Sequence, residues 1–304
     1  MRAFLVISAV CAAASLSACG SRDSAPSVDD LVRDAGALDL AGKTDEAIRL
    51  FQQALDQAPD SYAAHYGIGR ALDLAGRYEE ARRHFARAIE LAAEGNREQA
   101  MRMMAIAWTF GGRVDEAARV FEQVFDRRIA ASNFGAAAEV ANELGRVYLE
   151  HGDLDNADHW YEVARTTALR ETDMPAWRID LVEMRWAHAE ARLAARRGRA
   201  SEARQHQASV KALLDKGGND DQKIQYPYLT GYVSFHLGDM RGAIADLEQA
   251  DQKDPFILLL LAEAHERVGE AARAREYYTR VMESTSHAVN NAFARPVART
   301  KLLQ

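Results

Sequence analysis

Seven glycines recur along the chain, and each is followed five residues later by alanine: Gly42/Ala47, Gly76/Ala81, Gly112/Ala117, Gly152/Ala157, Gly198/Ala203, Gly238/Ala243 and Gly269/Ala274. Seven residues before each glycine stands a small side chain, namely Ala35, Gly69, Ala105, Gly145, Ala191, Gly231 and Ala262. Four residues after each alanine come Phe51, Phe85, Phe121, Tyr161, Gln207, Leu247 and Tyr278. Self-similarity of this kind is the mark of a repeat architecture. A glycine ends one helix where a left-handed residue costs least. Acidic residues then open a second helix (Asp45 and Glu46, Glu79 and Glu80, Asp115 and Glu116), facing the positive end of its dipole. The small residues let two helices approach closely, and the large residue fills the gap to the next pair. One such pair cannot bury its apolar face alone, so neighbours must stack.

The first two alanines are 34 residues apart, and with this small–glycine–alanine–aromatic pattern the chain resembles the tetratricopeptide repeat family from about Val28 to about Ser286. The resemblance implies an all-α, right-handed helical solenoid of about seven helix pairs. The later intervals are 36, 40, 46, 40 and 31 residues, so only the first is regular. The fifth unit diverges most, with Gln207 in the aromatic place and a long helix expected over 176–197. The expected organisation is a signal segment over 1–18, a linker over 19–28 and the repeat domain over 29–286. A tail over 287–304 follows, read as a helix interrupted or restarted near Pro296 that caps the last repeat. Short tails of this form occur in bacterial repeat proteins of unassigned role and bring no activity with them.

In this family the first helices of each pair line a concave groove that grips peptides. The places ten and six residues before the turn glycines usually face it. Here they hold Tyr66, Arg70, Arg102, Asn142, Arg146, His188, Arg192, Tyr228 and Tyr232. Arginines there can present forked donors to carboxylates or backbone carbonyls of a partner. They can equally solvate helix faces and pair with neighbouring acids, and the sequence leaves both readings open. The lysine and asparagine set of the family's carboxylate clamp is not reproduced.

The chain start gives a second address. Met1 and Arg2 precede an apolar run from Ala3 to Leu16, and small residues follow, as in a secretory signal. The run is too short to span a bilayer, which needs about 20 apolar residues. Leu16-Ser17-Ala18-Cys19 resembles the lipobox of bacterial lipoproteins, which implies cleavage before Cys19 and acylation of its sulfur and amino terminus. The alternative is an ordinary secreted protein cut near Ala18, which would leave a lone thiol exposed. Two or three acyl chains make attachment durable where one does not. Gly20 and Ser21 replace the aspartate typical of inner-membrane retention, so the expectation is the periplasmic face of an outer membrane. Cys11 lies in the signal, and a chain without further cysteines has no disulfide framework or thiolate metal site.

The composition, 48% hydrophobic and 27% charged with net charge −7, is that of a globular chain and disfavours nucleic acid as a partner. Nine histidines make no H-E-x-x-H zinc pattern, since His265-Glu266 lacks the second histidine. There is no G-x-S-x-G elbow, and Gly67-Ile68-Gly69 falls mid-helix in the repeat frame. His65, His188, His236 and His265 are expected to pack or solvate first helices. Asp220 and Asp221 read as a hydrated loop, and Trp108, Trp160, Trp177 and Trp186 as packing residues. No cofactor, metal or catalytic residue is expected. The function expected is a non-enzymatic, membrane-tethered protein-binding scaffold assisting assembly of an envelope complex, or alternatively an adaptor recruiting a cell-wall or envelope enzyme.

Overall fold

A computed structural model describes residues 25–304; Cys19 and the signal segment lie outside the described residues. Among these residues there are fifteen α-helices and no strand. Fourteen of them form seven antiparallel pairs in chain order. The pairs are α1 (Val28–Leu40) with α2 (Thr44–Gln57), α3 (Tyr62–Ala75) with α4 (Tyr78–Leu91), and α5 (Glu94–Phe110) with α6 (Val114–Ala130). Then come α7 (Phe134–His151) with α8 (Leu154–Ala168), α9 (Ala176–Arg196) with α10 (Ala200–Asp215), α11 (Tyr226–His236) with α12 (Met240–Leu247), and α13 (Pro255–Arg267) with α14 (Ala271–Glu283). A 3-10 turn, Asp220–Gln225, connects the fifth and sixth pairs, and α15 (Val289–Leu303) ends the chain.

All seven turn glycines have positive φ, between 68° and 98°. At each turn the residue after the glycine donates to the carbonyl five residues back, as Arg77 does to Leu72 at 2.8 Å and Glu270 to His265 at 2.9 Å. These bonds satisfy carbonyls that a helix end otherwise leaves orphaned. The small residues are seats for the large ones. A Cβ on Gly69 would stand 3.0 Å from the Phe85 ring, and one on Gly145 would stand 2.9 Å from the Tyr161 ring. Phe51 reaches forward instead, against Gly67 of the next pair. The repeat alanines Ala47, Ala81, Ala117, Ala157, Ala203 and Ala243 are fully buried. Burying one phenylalanine stabilises the fold by ~1.5–3 kcal/mol, so this contact, repeated from pair to pair, supplies much of the core.

The fifth pair is the exception, as expected. Half-buried Gln207 leaves the packing to Val210 and to Trp186, which meets the His206 ring at 6.0 Å and the Arg165 guanidinium at 4.4 Å. Trp108 lies under Arg82 and Trp160 against Phe125, between neighbouring units. Trp177 departs from the packing role expected of it. It sits at the start of α9 and is 47% exposed.

The tail also departs from expectation, in two ways. First, α15 runs unbroken through Pro296. The missing amide removes one helical bond, while tertiary contacts on both flanks hold the helix. Second, α15 does more than cover the last pair. It lies on the inner side of the superhelix, against α5, α7, α13 and α14, and joins the first units to the last. At this seam His287 and Asp73 pair at 2.8 Å, both buried. Arg295 donates to the carbonyls of Leu74, Met282 and Ser284 at 2.8, 2.7 and 2.9 Å. Arg299 donates to the Leu74 carbonyl at 2.6 Å. The carboxy-terminal end of α3 exposes orphan carbonyls and the negative end of a dipole, and α15 brings two guanidinium groups to it.

Candidate functional site

With α15 across the interior, the inner wall is divided. On one flank a cavity of about 510 Å³ opens among α5, α7, α9, α11 and the first turn of α15. On the other flank a cavity of about 760 Å³ follows Ala292, Phe293, Pro296 and Val297 of α15. The two share no lining residue.

Six of the nine residues assigned to the groove line the first cavity: Arg102, Asn142, Arg146, His188, Arg192 and Tyr228. Their phase in the repeat carries them there, because residues four apart share a helix face and equivalent positions in successive pairs form one wall. The other three lie elsewhere. Tyr66 packs against the Phe85 ring and accepts from Gln99 at 3.1 Å. Arg70 pairs with buried Asp39 at 3.6 Å. Tyr232 is fully buried, its ring 4.3 Å from that of His236. Inward-facing positions of a superhelix with an occupied interior become core, and Tyr232 shows this.

The arginines of the cavity have distinct surroundings. Arg102 reaches across to Glu143 of α7, with Nε 2.6 Å from Oε2. Arg128 is held by Glu98 and by the Ala136 carbonyl. Arg146 lies inside an aromatic nest, its guanidinium 4.6 Å from the Phe256 ring, 5.6 Å from Tyr228 and 5.9 Å from Phe293. Its Nε is 2.8 Å from Glu150, which also faces Arg196 at 3.4 Å. Arg192 is buried beside Tyr161, whose hydroxyl accepts from it at 3.2 Å. Burial, with Arg192 and Arg146 nearby, holds the pKa of His188 well below the usual histidine range, so its imidazole is neutral. Burial also raises the pKa values of Tyr161 and Tyr228, keeping both hydroxyls protonated.

The repeat frame marks Tyr161 of α8 only as a packing residue and does not single out Met184, Val210 or Asn290, which add to the lining from α9, α10 and α15. Glu150 carried a local signal, standing one helical turn after Arg146. The remaining histidines take structural parts. His265 bonds Glu270 at 2.7 Å and stacks on Tyr277, while His65 and His84 meet at 2.9 Å between ring nitrogens. Among the described residues no group of three or more His, Cys, Asp or Glu side chains is placed to hold a metal, and no helix is long and apolar enough to cross a membrane.

These features define an all-α solenoid of stacked helix pairs with a partly enclosed, arginine-lined inner wall. Family models described as Tetratricopeptide repeat match residues 40–105 and 110–171, so the chain carries tetratricopeptide repeats there. A tetratricopeptide repeat protein from Parabacteroides merdae is similar in structure, with a TM-score of 0.52 and 14% identity, over 91% of this chain and 97% of that one. A Podosopora anserina putative kinesin light chain with nearly identical TPR-like repeats has a TM-score of 0.51 and 18% identity, over 63% of this chain and 97% of that one. At these identities the likeness is one of fold. No curated protein sequence matches the chain. Such repeats make a protein-interaction scaffold, and the fold is generally non-enzymatic.

Proposed function

We propose that the chain is a lipid-anchored scaffold, attached through Cys19 to the periplasmic face of an outer membrane, where it assists assembly of an envelope protein complex. The observation that carries this reading is the Leu16–Cys19 stretch behind a short apolar run, set only a few residues before a protein-interaction repeat domain that starts at Val28. Eight intervening residues at most ~3.5 Å each would hold the repeat domain close to the lipid surface. Partners then meet the exposed rim of the inner wall, because Arg70 and Arg146 are engaged internally. Arg185 is exposed at the cavity mouth and forms no ion pair among the described residues, which makes it the side chain best placed for polar grip. Two measurements test the reading. Metabolic labelling with a fatty acid should mark the wild type and leave Cys19→Ala unmarked; equal labelling refutes the anchor. In pull-downs from membranes, Arg185→Glu should lose a partner that Arg83→Glu, an exposed α4 control, retains. Equal loss from both variants would mean that net charge alone governs capture.

A further inference from the structure

The floor of the first cavity holds an unbalanced buried charge. Arg146 and Arg196 share the single carboxylate of Glu150. Arg192, beside them, has none. Its Nε lies 3.4 Å from the His188 carbonyl and its Nη2 donates to Tyr161, both neutral acceptors, and Nη1 has no partner among the described residues. Arg192 is 6% exposed, and so is Tyr228, whose hydroxyl likewise has no partner among the described residues. Both line the cavity. His188 is neutral and supplies no countercharge. A buried cation without a carboxylate costs a protein stability unless something else compensates it. Nη2 of Arg146 is orphaned as well, and the orphaned donors of this lining define where a compensating anion would sit.

Other features of the cavity narrow the anion. Glu139, Glu143 and Asp254 line it, as do Arg102, Arg128 and Arg185. Arg102 is taken by Glu143 and Arg128 by Glu98. Arg185 does not outnumber Glu139 and Asp254, so a monoanion matches the remaining charge better than a multiply charged group such as phosphate. Val140, Met184 and Val210, all buried, supply an apolar wall. Val289 and Asn290 of α15 form one side of it. The volume is in the ordinary range for small-molecule sites, ~300–1,000 Å³. We propose that this cavity binds a small organic monocarboxylate, its charge on Arg192 and Tyr228 and its apolar part against Val140, Met184 and Val210. The site does not depend on the scaffold reading, and either can fail without the other.

The test uses the purified full-length chain, titrated calorimetrically with octanoate, N-acetylleucine and N-acetylleucinamide. Both carboxylates should bind, and the amide, identical in shape to N-acetylleucine but uncharged, should bind at least tenfold more weakly. Tighter binding of N-acetylleucine than of octanoate assigns the carboxylate to a chain end, and the reverse order to a free acid. Arg192→Met should abolish binding, and without added carboxylate it should melt no lower than the wild type, since it removes an uncompensated charge. Tyr228→Phe, which keeps the ring, should weaken binding several-fold. The proposal is overturned if neither carboxylate binds, if the amide binds equally, if Arg192→Met binds like the wild type, or if that variant melts lower than the wild type without ligand.

Discussion

Replacing Arg295 by methionine tests whether α15 closes the superhelix. The substitution keeps most of the side chain's length and volume and removes the guanidinium. That group donates to three carbonyls, those of Leu74, Met282 and Ser284, at 2.7–2.9 Å. A hydrogen bond from a charged donor contributes ~1.5–3 kcal/mol net. Leu74 keeps Arg299 as a donor at 2.6 Å and Ser284 keeps a long bond from Asn291 at 3.4 Å, so Met282 is the carbonyl left most exposed to the loss. Against the lost bonds stands the desolvation of a buried cation, which the variant no longer bears; burial already lowers the Arg295 pKa to about 10. The expected balance is a destabilisation of ~2–4 kcal/mol. At ~2–4 °C per kcal/mol for a chain of roughly this size, the midpoint should fall by roughly 4–16 °C. Scanning calorimetry gives the midpoint, and limited proteolysis should show the carboxy-terminal segment cut before the rest. A midpoint within about 1 °C of wild type, with α15 equally protected, would refute the seam and the divided interior that depends on it.

Two further outcomes bear on the repeat and on pH. Gly69→Ala places a methyl 3.0 Å from the Phe85 ring and should lower the midpoint, whereas Gly36→Ala, with nothing within 4 Å of its new Cβ, should gain ~0.5–1 kcal/mol of helix propensity; equal effects in thermal melts would dissociate the small residues from helix contact. Burial, with His65 beside it, lowers the His84 pKa to about 4, so the unfolded chain binds the extra proton between that value and about 6.5. Stability should therefore be full above pH 6.5 and fall as pH drops toward 4. His84→Gln should flatten that fall in urea titrations, and an unchanged slope would exclude His84 as its source.

How much of this was legible follows from how locally each feature is encoded. The turn glycines, the pairing of helices and the seats beneath Phe85 and Tyr161 repeat at fixed spacing, so the sequence states them seven times over. The arginine-lined wall was legible for the same reason, since Arg146 and Arg192 hold equivalent positions in successive units and Arg102 stands one helical turn earlier in its own. What spacing does not encode is what closes over the wall. Arg295 and the Leu74 carbonyl are 221 residues apart, and His287 and Asp73 are 214 apart, in an interval that no repeat period relates. The amphipathic tail was visible as a helix that must cover something, but its partner was not. Tyr232 was misplaced on the same account, because an inward position is open or buried according to what occupies the interior.

The seam at α15 also sets an order of events during folding. An open solenoid can begin folding anywhere and grow by neighbour contacts. Here Asp73 and the Leu74 carbonyl wait for residues 287–299, which are synthesised 214 or more residues later. Until then the carboxylate of Asp73 stays free to bind water and to ionise, and the inner wall lies open along its whole length. A chain of this design passes through an uncovered form each time it is made, and the final docking is the step at which the two halves first acquire a common stability.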